Sequence, residues 1–420
     1  MLPDIYYKER LEKLKESLKA LHQKKSALGW ARVFVIVVII LSVYFLWPYG
    51  LEYVIAIAAI LHAGFVKIVF IDTDNNDAIN HTNHLIKIAD DELAALQNNY
   101  YHFAEGKQYI NNEHLYANDL DIFGRASLFQ YINRTNSEMG EQTLVNWLLH
   151  PANISTIKER QNAIKELTSQ TEWRQELQAI GKEKQIALTT REGLQKWLSQ
   201  PNIFISSHWW RWLRILLPAI IISTVILYFF DEVSLQTLIS FLLVFFWIAY
   251  YLAKKVRPLH EQLSMMVPEL EVLSESIRLL EKTIVHAPLL QEIQRHYHTQ
   301  NNAASSELKK VKNILDRLDL SYNLVLAGPL NILLLWNLQQ AIALEKWKEL
   351  NKENAINWFN ALGIMEVLCS FSTVGFNHPE WSFPVLKDEH FFIEGKEIGH
   401  PLINKIKRVN NDIKIDKPLN

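Results

Sequence analysis

The sequence predicts a mainly α-helical protein with two membrane-spanning helical hairpins, and two observations carry that expectation. The first is hydropathy. Four apolar runs, Val33 to Trp47, Tyr53 to Val66, Ile215 to Phe230 and Val233 to Ala253, fall into two pairs, separated only by Pro48-Tyr49-Gly50-Leu51-Glu52 and by Asp231-Glu232. With its flanks, each run approaches the roughly 20 residues a helix needs to cross a bilayer core. The second is periodicity, since apolar residues elsewhere recur three and four apart, as in Leu270, Leu273, Ile277, Leu280 and Ile284. A chain of 420 residues with 49% hydrophobic content can hold a sizeable helical core beside its membrane part. Its formal charge of −2 gives no basic excess of the kind that coats nucleic acid.

Residues 1–32 predict a cytoplasmic amphipathic helix. Leu11, Leu14, Leu18 and Leu21 alternate three and four apart between Lys and Glu, which suits either a short coiled coil or a helix lying on the anionic leaflet. Residues 33–71 hold the first hairpin. The run begins after about thirty charged, amphipathic residues and shows no small-residue cleavage site, unlike a secretory signal. Residues 72–117 read as a polar connector with helical stretches. Its histidines, His81, His84, His102 and His114, lack regular metal-ligand spacing and read as surface residues.

Residues 118–200 predict packed core helices. Leu144, Trp147 and Leu148 recur at helical spacing, Pro151 ends that helix, and Ile157, Ala163, Ile164 and Leu167 line a second apolar stripe. The order of small motifs here is informative. Ile122-Phe123-Gly124, then Gly140 to Leu144, then Trp147-Leu148-Leu149-His150-Pro151, then Ile157 to Leu167 resemble, in sequence, the Leu-Phe-Gly turn, G-x-x-x-L helix, W-L-x-x-P stop and R-Q-x-A-I/V-x-E-L helix of the MutS proteins. None of these side chains has the arrangement of a reacting group, so the resemblance identifies a scaffold.

Residues 209–253 hold the second hairpin. Arg214, and Lys67 in the first, sit where basic side chains can snorkel, and Trp209, Trp210 and Trp212 cluster where an aromatic belt would lie. In the MutS resemblance this is broadly where lever helices run toward a DNA clamp, which puts clamp function in doubt. Residues 254–386 return to core and lever helices. The fifth apolar run, Leu324 to Trp336, contains Gly328 and Pro329 and is too short to span, so it predicts a buried core segment. Leu330 to Leu338, Leu344-Glu345-Lys346-Trp347 and an apolar helix carrying Glu366 and Ser370 again resemble membrane-associated MutS-like proteins. Glu366 is expected to hydrogen-bond to a neighbouring helix. His296 and His298 flank Tyr297 with no further Cys or His nearby in sequence, so no metal site is expected.

Residues 387–420 resemble the start of the MutS ATPase domain. Phe391 to Pro401 looks like its opening strand and His-Pro turn, and Val409-Asn410-Asn411-Asp412-Ile413 like its V-P-N-D-I segment. The full expectation is a mainly α, multi-helix MutS-like core and lever array with two transmembrane helical hairpins and a short β segment at the C-terminus. His400, Arg408 and Asn411 are the nucleotide-proximal candidates the resemblance implies. Arg408 stands where the family commonly places an aromatic residue that stacks on adenine, and a guanidinium plane can also stack. A G-x-x-x-x-G-K-S/T loop supplies the N–H groups, Lys and hydroxyl that hold triphosphate and Mg²⁺. The Gly-Lys pairs at Gly106, Gly181 and Gly395 are not part of such a loop. The chain as given is therefore expected to have no cofactor and no catalytic residue, with ATP and Mg²⁺ implied for a longer form.

Charge placement orients the spans. Lys8, Arg10, Lys13, Lys15, Lys19, Lys24, Lys25 and Arg32 precede the first, Lys254, Lys255 and Arg257 follow the fourth, and both hairpin tips lack basic residues. The positive-inside rule then puts both termini and all large segments in the cytoplasm of a multi-pass inner-membrane protein. Sequons at Asn80, Asn133 and Asn153 would meet no glycosylation machinery, and the single Cys369 fits a reducing compartment. The N-terminus lacks the Phe-x-Glu wedge of mismatch readers. Two functions remain. One is a membrane-anchored MutS-like protein that, in complete form, would dimerise, bind ATP and contact DNA. The other is a non-catalytic membrane-tethered scaffold with no DNA role. No small-molecule substrate is implied by either.

Overall fold

A computed structural model describes residues 2–298, 302–323, 327–387 and 392–416. Among them are fifteen α-helices and one two-stranded sheet. The first half contains α1 (Pro3–Leu46), α2 (Leu51–Leu96), α3 (Leu128–Ile132), α4 (Glu138–Leu149), α5 (Ile154–Thr168), α6 (Thr171–Glu183) and α7 (Leu188–Ser199). There follow α8 (His208–Phe229), α9 (Leu235–Ser264), α10 (Val267–Lys282), α11 (Pro288–Arg295) and α12 (Ala304–Asp319). The last elements are α13 (Ala327–Leu334), α14 (Trp336–Asn351), α15 (Ala355–Asn377), β1 (Ile393–Ile398) and β2 (Asn411–Ile415). The chain divides into two compact units, the first comprising Met1–Asn133, Thr168–Glu183 and Thr373–Asn420, the second Arg134–Leu167 and Lys184–Ser372.

The first unit is organised by α1 and α2, an antiparallel pair turned at Trp47–Tyr49 and Gly50. Tyr7, Leu11 and Leu14 of α1 are buried against Leu85, Ile88 and Ala89 of α2, and Ala179 of α6 joins them. Leu11 and Leu14 of the leucine repeat thus pack on α2 within the chain, while Leu18 and Leu21 are only partly buried. Asp72, nearly buried, pairs with Arg32 at 3.2 Å, and Asn75 Nδ2 donates to the Leu21 carbonyl at 3.1 Å. Where the sequence suggested a connector from residue 72, α2 continues unbroken to Leu96. His81 and His84 face carboxylates of α6, Glu176 at 2.7 Å and Glu183 at 3.7 Å, and His102 faces Asp91 at 3.2 Å. His81 and His84 are partly buried, whereas His102 is exposed as expected, and no group of metal-binding side chains forms among the described residues.

Gly124 closes the Ile122-Phe123-Gly124 turn at φ 103°, a region that side-chain-bearing residues avoid. Its N–H donates to the Glu105 carbonyl at 2.8 Å, and Phe123 packs on Phe129, 5.4 Å between ring centroids.

The second unit explains the remaining motif residues. Ser137 caps α4, its Oγ accepting from Gly140 N–H at 3.0 Å. Gly140 and Gly363 let α4 and α15 cross in contact: a Cβ on Gly363 would stand 3.0 Å from the Met139 carbonyl carbon. Trp147 lies under the Arg160 guanidinium, 3.6 Å from ring centroid to Cζ, and Glu166 accepts from the His286 and Ala287 N–H groups at 2.8 and 2.6 Å. Ala163 and Leu167 are fully buried. Glu345 accepts three backbone N–H groups, from Ile203, Phe204 and Ile205, at 2.6–2.9 Å, fixing the segment that leads into α8.

Among the described residues, five helices are long and apolar enough to cross a membrane. Burial separates them. In α1, α2, α8 and α9 only 0%, 6%, 11% and 22% of the apolar window is covered by protein, whereas in α15 it is 61%. Protein packing therefore accounts for the apolar character of α15, a core helix, and leaves that of the other four unaccounted for. The fifth apolar run does not form the buried core segment its composition suggested. Its first residues, Leu324 to Leu326, lie outside the described residues; from Ala327 it forms α13, which leans on α8 and α9 with only Asn331 buried. The helix breaks at Leu335, a left-handed residue, and Asn331 bridges the break, accepting from Asn337 N–H at 3.1 Å. His296 and His298 are exposed, with the fully buried Tyr297 between them.

Candidate functional site

The C-terminal segment of the first unit builds the candidate site. β1 and β2 pair antiparallel, Ile393 opposite Ile415 and Ile398 opposite Asn411, with an irregularity between Gly395 and Ile398. Phe391, the first residue of the expected strand, lies outside the described residues. Between the strands the chain turns through His400-Pro401, where His400 Nδ1 accepts from Leu402 N–H at 3.3 Å and the Leu402 carbonyl accepts from Asn98 Nδ2 at 3.1 Å.

That connection forms one wall of a cleft of about 500 Å³. The other walls come from the ends of α1 and α2, from Tyr131, and from the segment His378-Pro379-Glu380-Trp381 after α15. His378 and Trp381 stack, 3.9 Å between centroids and 9° between planes, and His378 Nε2 also meets the Tyr131 hydroxyl. Burial is the largest cause that lowers the His378 pKa, which keeps the imidazole neutral at neutral pH. Lys405 pairs with Glu380 at 3.2 Å. Arg408 lines the cleft with its Nε donating to Asn410 Oδ1 at 3.2 Å. Gly399 holds that arrangement open, because a Cβ there would come within 2.4 Å of Arg408 Nε.

Of the three sequence-derived candidates, Arg408 lines this cleft. His400 is exposed and shapes the turn, and Asn411 is an exposed partner of Ile398; neither is part of the lining. Sequence reasoning missed His378, Trp381 and Tyr131. The signal was a crowded His-Pro-Glu-Trp immediately after an apolar helix. The cleft has an aromatic wall in His378, Trp381 and Tyr131, and its charged lining is mixed, Asp4 and the Glu380–Lys405 pair beside Arg408, so the stacked rings and the Arg408 plane suit it to a planar ligand.

Residues 110–186 match the family model for MutS domain III, and every motif residue from Ile122 to Leu167 lies inside that span. The match supports a MutS-like protein. No curated protein and no solved structure matched the chain.

Proposed function

We propose that this chain is the membrane-anchored core of a MutS-like, mismatch-repair-related protein. The observation that carries the reading is the domain III match at 110–186, flanked in sequence by two helix pairs whose apolar windows are almost uncovered. A soluble monomer does not tolerate apolar patches of that extent. A bilayer removes the difficulty for α1, α2, α8 and α9. The basic residues that precede Val33 and follow Ala253 favour a cytoplasmic location for both termini.

Alkaline extraction of cell membranes tests the anchor: the chain is expected to stay in the pellet, and its release into the supernatant would refute it. Topology is read by cysteine labelling from outside sealed cells, with the buried Cys369 as a quiet background. Cysteines replacing Tyr49 or Asp231 should react. Those replacing the highly exposed Leu115 or Glu397 should not.

The nucleotide part of the proposal rests on the aromatic-walled cleft and Arg408. ATP with Mg²⁺, a homodimer and DNA contact are assigned to a form that carries a phosphate-binding loop, since phosphate contacts provide the main anchoring in such sites. The 420-residue chain is expected to hydrolyse no ATP, and an extension through such a loop should gain magnesium-dependent hydrolysis. In that extended form Trp381→Ala is expected to weaken nucleotide binding about tenfold, the scale of one lost stacking contact. Hydrolysis by the 420-residue chain itself, or full affinity in the Trp381 variant, would count against this assignment.

A further inference from the structure

We infer that a hollow beside α9 in the second unit binds the headgroup of an anionic, hydroxyl-bearing phospholipid of the phosphatidylglycerol type. The inference rests on the membrane reading above. Phe246, Ala249, Tyr250, Ala253, Lys254 and Arg257 of α9 line a hollow of about 450 Å³. Their spacing puts all six on one helix face. That face changes from apolar to basic along its length, at the point where span four would leave the hydrocarbon. Phe246 and Tyr250 are exposed, and among the described residues that line the hollow there is no carboxylate, although one of them, Arg257, is paired with Glu261.

The rest of the lining is mixed, with the polar groups of Ser321, Tyr322, Asn331 and Asn337 set among Ala327, Gly328 and Ile332. Asn337 is 5% exposed and its Oδ1 is buried with no hydrogen-bond partner among the described residues. A buried acceptor left unsatisfied is costly, so a donor is missing there. Tyr322 is held in place by stacking on His260, which pairs with Asp319 at 2.6 Å.

The three basic residues after span four are not equivalent. Lys255 lies over the rings of Phe204 and Trp210, at 5.5 and 5.7 Å, and Arg257 gives its Nε to Glu261 at 2.7 Å. Lys254 makes no such contact among the described residues, and it lines the hollow. A phosphodiester between Lys254 and Arg257, a headgroup hydroxyl donating to Asn337 Oδ1, and acyl chains along Phe246 and Tyr250 would satisfy each part of the surface. Cationic pockets at the cytoplasmic ends of spans are suited to such lipids.

The test is lipid binding to the purified full chain in detergent micelles, followed by native mass spectrometry. Phosphatidylglycerol is expected to bind about tenfold better than phosphatidylcholine, as two cations near one headgroup imply. The Lys254→Ser/Arg257→Ser variant should lose that preference. Phosphatidylmethanol has the same charge but no headgroup hydroxyl, so it should bind more weakly than phosphatidylglycerol to the wild type and equally to Asn337→Leu. Equal binding of phosphatidylglycerol and phosphatidylcholine, or an unchanged preference in the double variant, overturns the site. Effective competition by free glycerol phosphate would make it a soluble-anion site instead and overturn the lipid assignment. Alkaline extraction of the same proteins separates the two readings. Release from membranes sinks both, whereas retention without lipid preference sinks only the lipid site.

Discussion

Gly363→Val is expected to destabilise the second unit by about 3 kcal/mol or more, at the upper end of what overpacking costs. The added Cβ would meet the Met139 carbonyl carbon at 3.0 Å and Gly140 N and Met139 O at 3.1 Å. Those atoms are backbone, so no rotamer change relieves the contact, and valine adds two further carbons to it. The opposing turn of α4 is itself fixed by Ser137, which accepts from Gly140 N–H and donates to Glu366 Oε2 at 2.5 Å. Gly140→Ala strikes the same crossing from the other side, since its Cβ would fall 2.1 Å from Glu366 Oε2 and drive the carboxyl off Ser137. Gly29→Ala is the control: nothing lies within 4 Å of that Cβ, and a helix-interior alanine is worth up to about 1 kcal/mol. Thermal unfolding in detergent, followed by tryptophan fluorescence, reads all three. An unchanged melting temperature for Gly363→Val would show that α4 and α15 do not cross in contact.

Glu366→Gln is expected to stabilise the protein at pH 8 by up to about 3 kcal/mol and to change little near pH 4.5. Burial pushes the Glu366 pKa up from 4.5 to about 7, against the opposing pull of hydrogen bonds from the Ser137 side chain and from the Ser137 and Asn136 backbone. With the folded value above the unfolded one, the fold prefers the protonated acid. Below about 4.5 the group is protonated in both states and its contribution is fully present. As pH rises toward 7 the unfolded chain ionises first and that stability is lost; the gap from 4.5 to about 7 corresponds to about 3 kcal/mol. Glutamine keeps an acceptor for Ser137 and cannot ionise. Urea unfolding of both proteins between pH 4.5 and 8 gives the difference curve, and a curve flat across that range would reject the mechanism.

What the sequence made legible follows from range. The four apolar runs were readable because continuous hydrophobicity is a local property. Motif residues such as Trp147, Arg160 and Glu166 were readable in order, and the structure supplies their reasons: a ring under a guanidinium and a carboxylate holding the approach to α11. Leu11 and Leu14 gave a helix but not their partners, which stand some seventy residues away on α2. His81 and His84 are partly covered because α6 lies on that face of α2, and no periodicity announces such a cover. The cleft was least legible. Tyr131, His378, Trp381 and Arg408 are brought together only by the tertiary fold, and of these the resemblance offered Arg408 alone. The fifth run misled because α13 ends at the left-handed Leu335, where Asn331 ties off the break, and it lies on α8 and α9 instead of entering the core.

The unbroken course of α1 and α2 has a mechanical consequence. At 1.5 Å per residue, helices of 44 and 46 residues reach about 66 and 69 Å, while a hydrocarbon core takes about 30 Å. With their apolar halves in the bilayer as proposed, the remainder forms a stiff double post about 35 Å tall, with no hinge in either leg at the water boundary. Tilt of the membrane half is then transmitted directly to the rest of the first unit. One residue inserted into α2 after Val69 would turn its upper half by about 100° and raise it by about 1.5 Å. That turn would carry the Ile88 and Ala89 face away from Leu11 and Leu14. The stand-off and heading of the unit above the lipid are therefore set by a count of residues.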